Sequence, residues 1–291
     1  MTKSFKVAGH VFSLSAHDDS PLWSELGQYD PFVTESGSES VFRLSLVDSL
    51  PEGETTIVLD QPVEDGETVL RLFHQGADWM VEMSPHNRIP TVARLWISKD
   101  FKEGRLKVLS DGNGLPLFAV NNSLMLMFAF GTACMGTLEM HASVIGCGGR
   151  AFLFLAKSGT GKSTHSSLWL KHIPGSELIN DDNPVVRVWP DGRVICYGSP
   201  WSGKTSCYRN VEAPVGAFVR IHRSQQNSIE RLDVFNSYAS LYSSTSGFKA
   251  DRSMADGLHA SFEKAAISVP CFVLYCRPDE EAARICAEAV L

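Results

Sequence analysis

The chain lacks an excess of basic residues. Its 291 residues carry 33 acidic and 26 basic side chains, a formal net charge of −7. That argues against nucleic acid or an anionic membrane surface as the main partner, because both are held by clustered cations. An uninterrupted apolar run of bilayer-spanning length is also missing. The most apolar stretch, 123–136, is shorter than the ~20 residues that a membrane span needs. Asn121, Asn122 and Glu139 bracket it, so it reads as part of a buried helix. Residues 1–10 are polar and mixed, with no apolar core, so no secretory signal is expected. The seven cysteines are odd in number and no pair has CxxC spacing. They read as small core residues in a reducing cytoplasm, not as a disulfide framework or a zinc site. There is no internal repeat and no low-complexity tract. With 44% hydrophobic and 20% charged residues, what remains is a soluble globular chain, long enough for one large domain or two ordinary ones.

The first part reads as a run of strands. Apolar-polar alternation over 6–15, 41–47, 55–59, 68–74, 79–83, 91–97 and 105–109, with turn residues between, predicts antiparallel sheet. His10, His17, His74 and His86 are scattered and form no catalytic constellation. Asp111-Gly-Asn-Gly114 reads as a linker, and 117–137 as a long apolar helix weakened by Gly131. The expected division is a β-rich domain over 1–120 and an α/β (α+β) domain over 121–291. In the latter, strands are expected at 139–146, 150–155, 177–180, 217–222 and 269–276. A hairpin is expected over 185–197 around Pro190-Asp-Gly192, a helix over 161–171, and a final helix capped by Asp279.

The chemistry concentrates in the segment from Ala156 to Thr164. It matches the phosphate-binding pattern GxxxxGK[ST], with Ala156 in place of the first glycine. Gly159 and Gly161 allow backbone angles that turn successive N–H groups inward. Ser158, Gly159, Thr160, Gly161 and Thr164 would then surround phosphate oxygens at the start of a helix. Lys162 would neutralise the β and γ phosphates, and the Ser163 hydroxyl would ligate Mg²⁺. An apolar strand before the loop and a helix after it supply the context that this motif requires.

Two neighbouring features narrow the class. Strands 139–146 and 150–155 are joined only by Cys147-Gly-Gly149, too short for the crossover that parallel neighbours need. An antiparallel hairpin must therefore feed the loop strand, unlike the mainly parallel sheets of ordinary P-loop enzymes. The second feature is Asp181-Asp182 at the end of an apolar strand. Two carboxylates beside a triphosphate can divide two tasks, one holding the metal and the other accepting a proton.

Together these residues resemble the HPr kinase/phosphorylase and ATP-dependent phosphoenolpyruvate carboxykinase superfamily. Ser158-Gly-Thr-Gly-Lys-Ser-Thr164 is similar to the carboxykinase loop, and Ile179-Asn-Asp-Asp182 to its Ile-Gly-Asp-Asp motif. The hairpin, opened by His141, resembles HPr kinase. Gly198-Ser-Pro-Trp-Ser-Gly-Lys204 resembles a phrase in bacterial HPr kinase-like proteins of unsettled substrate. The resemblance implies a mixed or antiparallel P-loop core with bound ATP and Mg²⁺. It also implies that Asp181 is the base, Asp182 serves the metal and His141 belongs to the catalytic set. His141 is followed by Ala142-Ser143 where HPr kinases usually carry glycine, which points away from HPr itself as the acceptor.

Lys204 and Arg209 lie in a polar loop, either as clamps on the transferring phosphoryl group or as solvated charges. His165 either touches the nucleotide or sits on the helix surface. The expected activity is that of a cytoplasmic kinase. It moves the γ-phosphoryl of a nucleoside triphosphate to a hydroxyl acceptor: a serine of a peptide or protein, or a small metabolite. No nucleic acid or membrane partner is expected, and a homo-oligomer is allowed. A carboxykinase-like or pyrophosphate-using enzyme is one alternative. A non-catalytic nucleotide sensor is another, which the two aspartates oppose because binding alone needs no base.

Overall fold

The structure is a computed structural model that describes residues 1–35, 39–60, 67–203, 205–247 and 251–291. It is a mixed α/β structure with two large mixed sheets. The chain divides into two compact units, Met1–Gly131 and Thr132–Leu291; the sequence placed the division at residue 120, inside the long helix expected over 117–137.

Unit one begins with β1 (Thr2–Val7), β2 (His10–Ser15), α1 (Leu22–Glu25), β3 (Val33–Thr34) and β4 (Phe42–Leu46). It continues with β5 (Thr55–Asp60), β6 (Val69–Gln75), β7 (Asp78–Ser84), β8 (Ala93–Ile97), β9 (Glu103–Val108) and α2 (Leu115–Thr132). The strand order is β3-β1-β2-β4-β9-β8-β7-β6-β5. Sequence alternation predicted an antiparallel sheet, yet β2–β4 and β4–β9 pair in parallel. Both pairs are joined by long connections, one through α1 and one through the β5–β8 meander, and length is what parallel pairing requires. The segment 6–15, read as one strand, is half a hairpin: the chain turns at Ala8 and Gly9, whose φ values are 50° and 81°. A positive φ at alanine is uncommon, so the turn is hidden in the sequence.

Alternate residues of this sheet form the core. Phe12, Leu14, Phe42, Leu44, Leu95 and Leu106 are fully buried, and the Phe12 and Phe42 rings stack at 5.1 Å. Helix α2 adds Val120, Leu124, Met127 and Phe128, all at 0% exposure. With its final 3₁₀ turn the helix runs from Leu115 to Met135, 21 residues, and by length and composition it could cross a membrane. The helix is thus longer than the apolar stretch 123–136 that marks it in the sequence. More than half of the helix's apolar window is buried inside the structure.

Unit two holds β10 (Thr137–Glu139), β11 (Ala142–Cys147), β12 (Arg150–Leu155), α3 (Lys162–His172), β13 (Glu177–Asp182), β14 (Val185–Val188) and β15 (Val194–Tyr197). After these come β16 (Glu212–Arg223), β17 (Ser228–Arg231), α4 (Val234–Tyr242), α5 (Arg252–Ser268), β18 (Cys271–Cys276) and α6 (Glu280–Val290). The order is β10-β14-β15-β16-β12-β11-β13, with β18 beside β16 and β17 beside β18. β11 and β12 pair antiparallel from Cys147↔Arg150 to Ala142↔Leu155. Gly148 and Gly149, at φ 57° and 74°, make the two-residue turn that matches strand twist.

The expected strand 139–146 is two strands. β10 pairs with β14 and β11 with β12, and the chain crosses between them at Met140-His141. β12, β16 and β18 run parallel. Phe152, Phe154 and Ile221 pack with Trp169 of α3 and Ala283 and Cys286 of α6 in one cluster. Asp279 caps α6 by accepting from Ala282 N. Six cysteines are buried, but Cys134 is exposed, unlike the core position read for it.

Candidate phosphate-loop site

Strand register assembles the site. β11 lies between β12 and β13 and is antiparallel to both, and Ala142 faces Leu155 on one side and Asp182 on the other. The chain entering β11 and the chains leaving β12 and β13 therefore meet at one end of the sheet. His141, the loop after Leu155, and the two aspartates come together there. The loop turns at Gly159 (φ 72°) and Gly161 (φ 125°), and α3 starts at Lys162.

Lys162 is 8% exposed. Its Nζ lies 2.5 Å from His141 Nε2 and 3.4 Å from Ala156 O. His141 Nε2 also lies 3.1 Å from Asp182 Oδ1. One imidazole nitrogen cannot accept from an ammonium and donate to a carboxylate at once. Lys162, His141 and Asp182 thus compete for one proton position, and a phosphate oxygen that draws Lys162 away would free Nε2–H for Asp182. Burial holds the Lys162 pKa below its ordinary value against the opposing pull of Asp182 and Asp181. Burial works to raise the Asp182 pKa, but the bond and charge of His141 and the charge of Lys162 outweigh it, leaving the carboxyl below its ordinary value.

Asp181 is 3% exposed, and its Oδ1 accepts from Ser163 Oγ at 2.9 Å. Its Oδ2 is buried with no hydrogen-bond partner. The expected metal pair was Ser163 with Asp182; the structure joins Ser163 to Asp181 and sets Asp182 beside His141. Strand register accounts for this. Asp181 lies opposite Ser143, whose Oγ meets Ser166 Oγ of α3 at 2.6 Å, so that face looks onto the helix. Asp182 leaves the strand at φ 130°, a strained value for a residue with a side chain. Asn183 Nδ2 bonds Asp182 Oδ2 at 3.2 Å, and Asn183 N bonds Asn180 Oδ1 at 3.0 Å. The segment 198–203 closes over this turn. Asn180 Nδ2 donates to Trp201 O at 3.1 Å, and Gly203 N and Ser202 Oγ donate to Asp181 O. Trp201 is buried at 4% and anchors the segment.

Lys204 lies outside the described residues. Arg209 donates to Leu178 O at 2.7 Å and to Glu177 Oε2 at 2.8 Å, at the end of β13 opposite the aspartates. Acting on a phosphoryl group would require both bonds to break.

His165 is not on the helix surface, one of the two positions that its sequence context allowed. It is 2% exposed, and Trp169 Nε1 donates to its Nε2 at 3.1 Å. Burial pushes its pKa down to about 4, so the ring is neutral and its proton sits on Nδ1, which has no partner. It borders a cleft of about 620 Å³ beside the loop, together with Thr164, Leu168, Ile221, Arg223 and Pro278. Arg223 donates to Gly159 O and, at 3.0 Å, to Thr160 O. It closes the cleft against the loop. Arg223 escaped sequence reading because nothing local marks a strand end as a neighbour of a distant loop.

A scan against protein-family models and a search of curated proteins each found no match. Among solved structures the chain is similar to the Hpr(Ser) kinase/phosphatase from Coxiella burnetii. The identity is 11%, 53% of this chain and 95% of that chain are covered, and the TM-score is 0.32. A likeness at that level carries no argument, so function rests on the site's own geometry.

Proposed function

We propose that unit two binds a nucleoside triphosphate with Mg²⁺ on the Ala156–Thr164 loop and transfers the γ-phosphoryl to a hydroxyl acceptor. The observation that carries this reading is convergence: Lys162, His141 and Asp182 in one chain of contacts, and Ser163 with Asp181 in a second, at the mouth of a strand-loop-helix turn. A loop that only bound phosphate would have no use for a buried carboxylate and an imidazole beside its lysine.

The residues fit Mg²⁺. Ser163 Oγ and the orphan Asp181 Oδ2 are hard oxygen donors. Among the described residues no group of three or more His, Cys, Asp or Glu side chains is arranged to hold a metal unaided, in keeping with an ion that completes its shell from phosphate and water. When bound, Mg²⁺ would neutralise charge on the phosphate oxygens.

Each residue then has a task. Lys162 leaves His141 for the phosphate. Asp182, ionised and paired with His141, takes the proton of the attacking hydroxyl. This exchanges the roles that the family resemblance implied for the two aspartates. The apolar wall of Leu168, Ile221 and Pro278 takes the nucleoside. Labelled ATP, presented to pools of metabolites and serine peptides, tests the reading. Transfer of label by the wild-type protein and not by Asp182→Asn supports it; nucleotide binding with no transfer to any pool leaves only a sensor.

A further inference from the structure

A second cleft, about 530 Å³, opens between the loop and the end of β16, and the nucleotide gives Arg220 and His222, on its strand side, no task. Lys157, Ser158, Gly159, Arg220, His222 and Arg223 line it. Arg220 stands opposite Leu155, the last residue of the loop strand. It points to the sheet face of α4, since its neighbour Ile221 belongs to the α3–α6 cluster and side chains alternate along a strand.

Arg220 is held without being neutralised. Its Nε and Nη2 donate to Ser240 Oγ, Ser240 O, Ser243 Oγ and Ser244 Oγ at 2.6–2.8 Å. Among the described residues no carboxylate pairs with Arg220, Arg223 or Lys157, and Arg220 Nη1 has no partner. A half-buried guanidinium normally has an acidic partner, and these cations stand unpaired in a chain of net charge −7. The first cleft has the apolar walls that a base needs, Leu168, Ile221 and Pro278; the second shares Ile221 but gathers Lys157, Arg220, His222 and Arg223 around the loop. Arg223, bonded to the loop, is the partition between them.

We infer that this second cleft holds an anionic group of the phosphoryl acceptor. The acceptor class is therefore a hydroxyl compound that also carries a phosphate or a carboxylate. The inference rests on the reading of the loop as a triphosphate site. Arg220, fixed by three serines, presents Nη1 as a preset donor, and bidentate geometry suits either anion.

The test saturates the full chain with Mg²⁺ and a non-hydrolysable ATP analogue, so that the γ position is filled. Inorganic phosphate, and separately malonate, is then titrated by calorimetry. Saturable binding of one or both anions is expected, and which one binds names the acceptor's group. Arg220→Gln should weaken it at least tenfold with the analogue's affinity unchanged. His222→Glu, at an exposed position, should do the same and decides the matter if Arg220→Gln does not fold. No anion binding to the analogue-saturated protein overturns the inference. So does binding only to the ADP form, which would assign the cations to the γ-phosphoryl, or binding that neither variant changes. If the protein binds no nucleotide, the proposed function itself fails. Phosphate titration of Lys162→Ala, whose loop site is disabled, then reads the cleft alone: retained binding that His222→Glu weakens supports an anion site, and none overturns it.

Discussion

Unit one buries few polar groups and leaves one of them short: Gln75 Oε1 has no partner, while its amide nitrogen donates to Pro51 O at 2.8 Å. Unit two buries both oxygens of Glu139, one oxygen of Asp181 and one nitrogen of His165 without partners, and bends Asp182 to φ 130°. Orphaned polar atoms and strain each cost roughly 1–3 kcal/mol. Unit one carries strain too, with Ala8 and Phe101 at φ 50° and 59°, but among the described residues it leaves fewer buried polar atoms without partners. Unit two carries such costs at Glu139, Asp181, Asp182 and His165 near the loop, and also at Ser176 Oγ and Trp189 Nε1 away from it; the first group is where cost gathers around the proposed site.

The comparison breaks first at the aspartates. Asp182→Asn should lower phosphoryl transfer by roughly 10²–10⁴, the usual worth of a general base, with Mg²⁺-nucleotide binding kept. Asp181→Asn should instead weaken Mg²⁺-dependent binding. Single-turnover transfer and calorimetry on both variants separate the roles, and exchanged effects would restore the assignment that the resemblance implied.

Next is Glu139. Burial, with the charge of Asp182 adding to it, pushes its pKa from 4.5 up to about 7. Ser246 lies close enough to temper the shift. A folded-state pKa above the unfolded one gives stability that is whole below pH 4.5 and is lost as pH rises through 7. The stability of unit two should therefore fall by roughly 2–4 kcal/mol between pH 5 and pH 8.5. Urea midpoints across that range measure it, and Glu139→Gln should flatten the slope.

The smallest effect sharpens the other side of the comparison. Gly104 in β9 leaves room for the Met127 side chain, where a Cβ would collide with its sulfur and with Leu44. Gly104→Ala should cost about 1–3 kcal/mol by overpacking, read as a lower urea midpoint for unit one. An unchanged midpoint would mean that this core gives way more easily than its burial implies.

What the sequence revealed follows the same division. The hairpin feeding the loop was legible because three residues, Cys147-Gly-Gly149, admit only one pairing. The loop was legible because its two glycines lie between a strand and a helix. The pairing of Ser163 with Asp181 was not, since it depends on which face β13 turns to α3 through its register with Ser143. The break at Met140-His141 is masked by an apolar-polar alternation, Leu138-Glu-Met-His-Ala-Ser-Val144, that continues through it. Helix α5 was missed partly because Gly257 sits inside it, where Cys134 and Ala133 pack too close for a Cβ. Helix α4 did carry a signal, Asp233 capping Asn236 N at 2.8 Å, that the reading passed over. Arg220 and Arg223 reach the loop only through strand pairing, which no local pattern encodes.

The central claim, that the loop is a triphosphate site, is tested most directly by calorimetry of ATP with and without Mg²⁺ on the wild-type chain and on Lys162→Ala. The account predicts one site, tighter with Mg²⁺. It also predicts at least a tenfold loss in the variant, since a charge-assisted bond is worth roughly 1.5–3 kcal/mol. Equal affinity in a folded Lys162→Ala, or no heat with the wild-type protein, would contradict it.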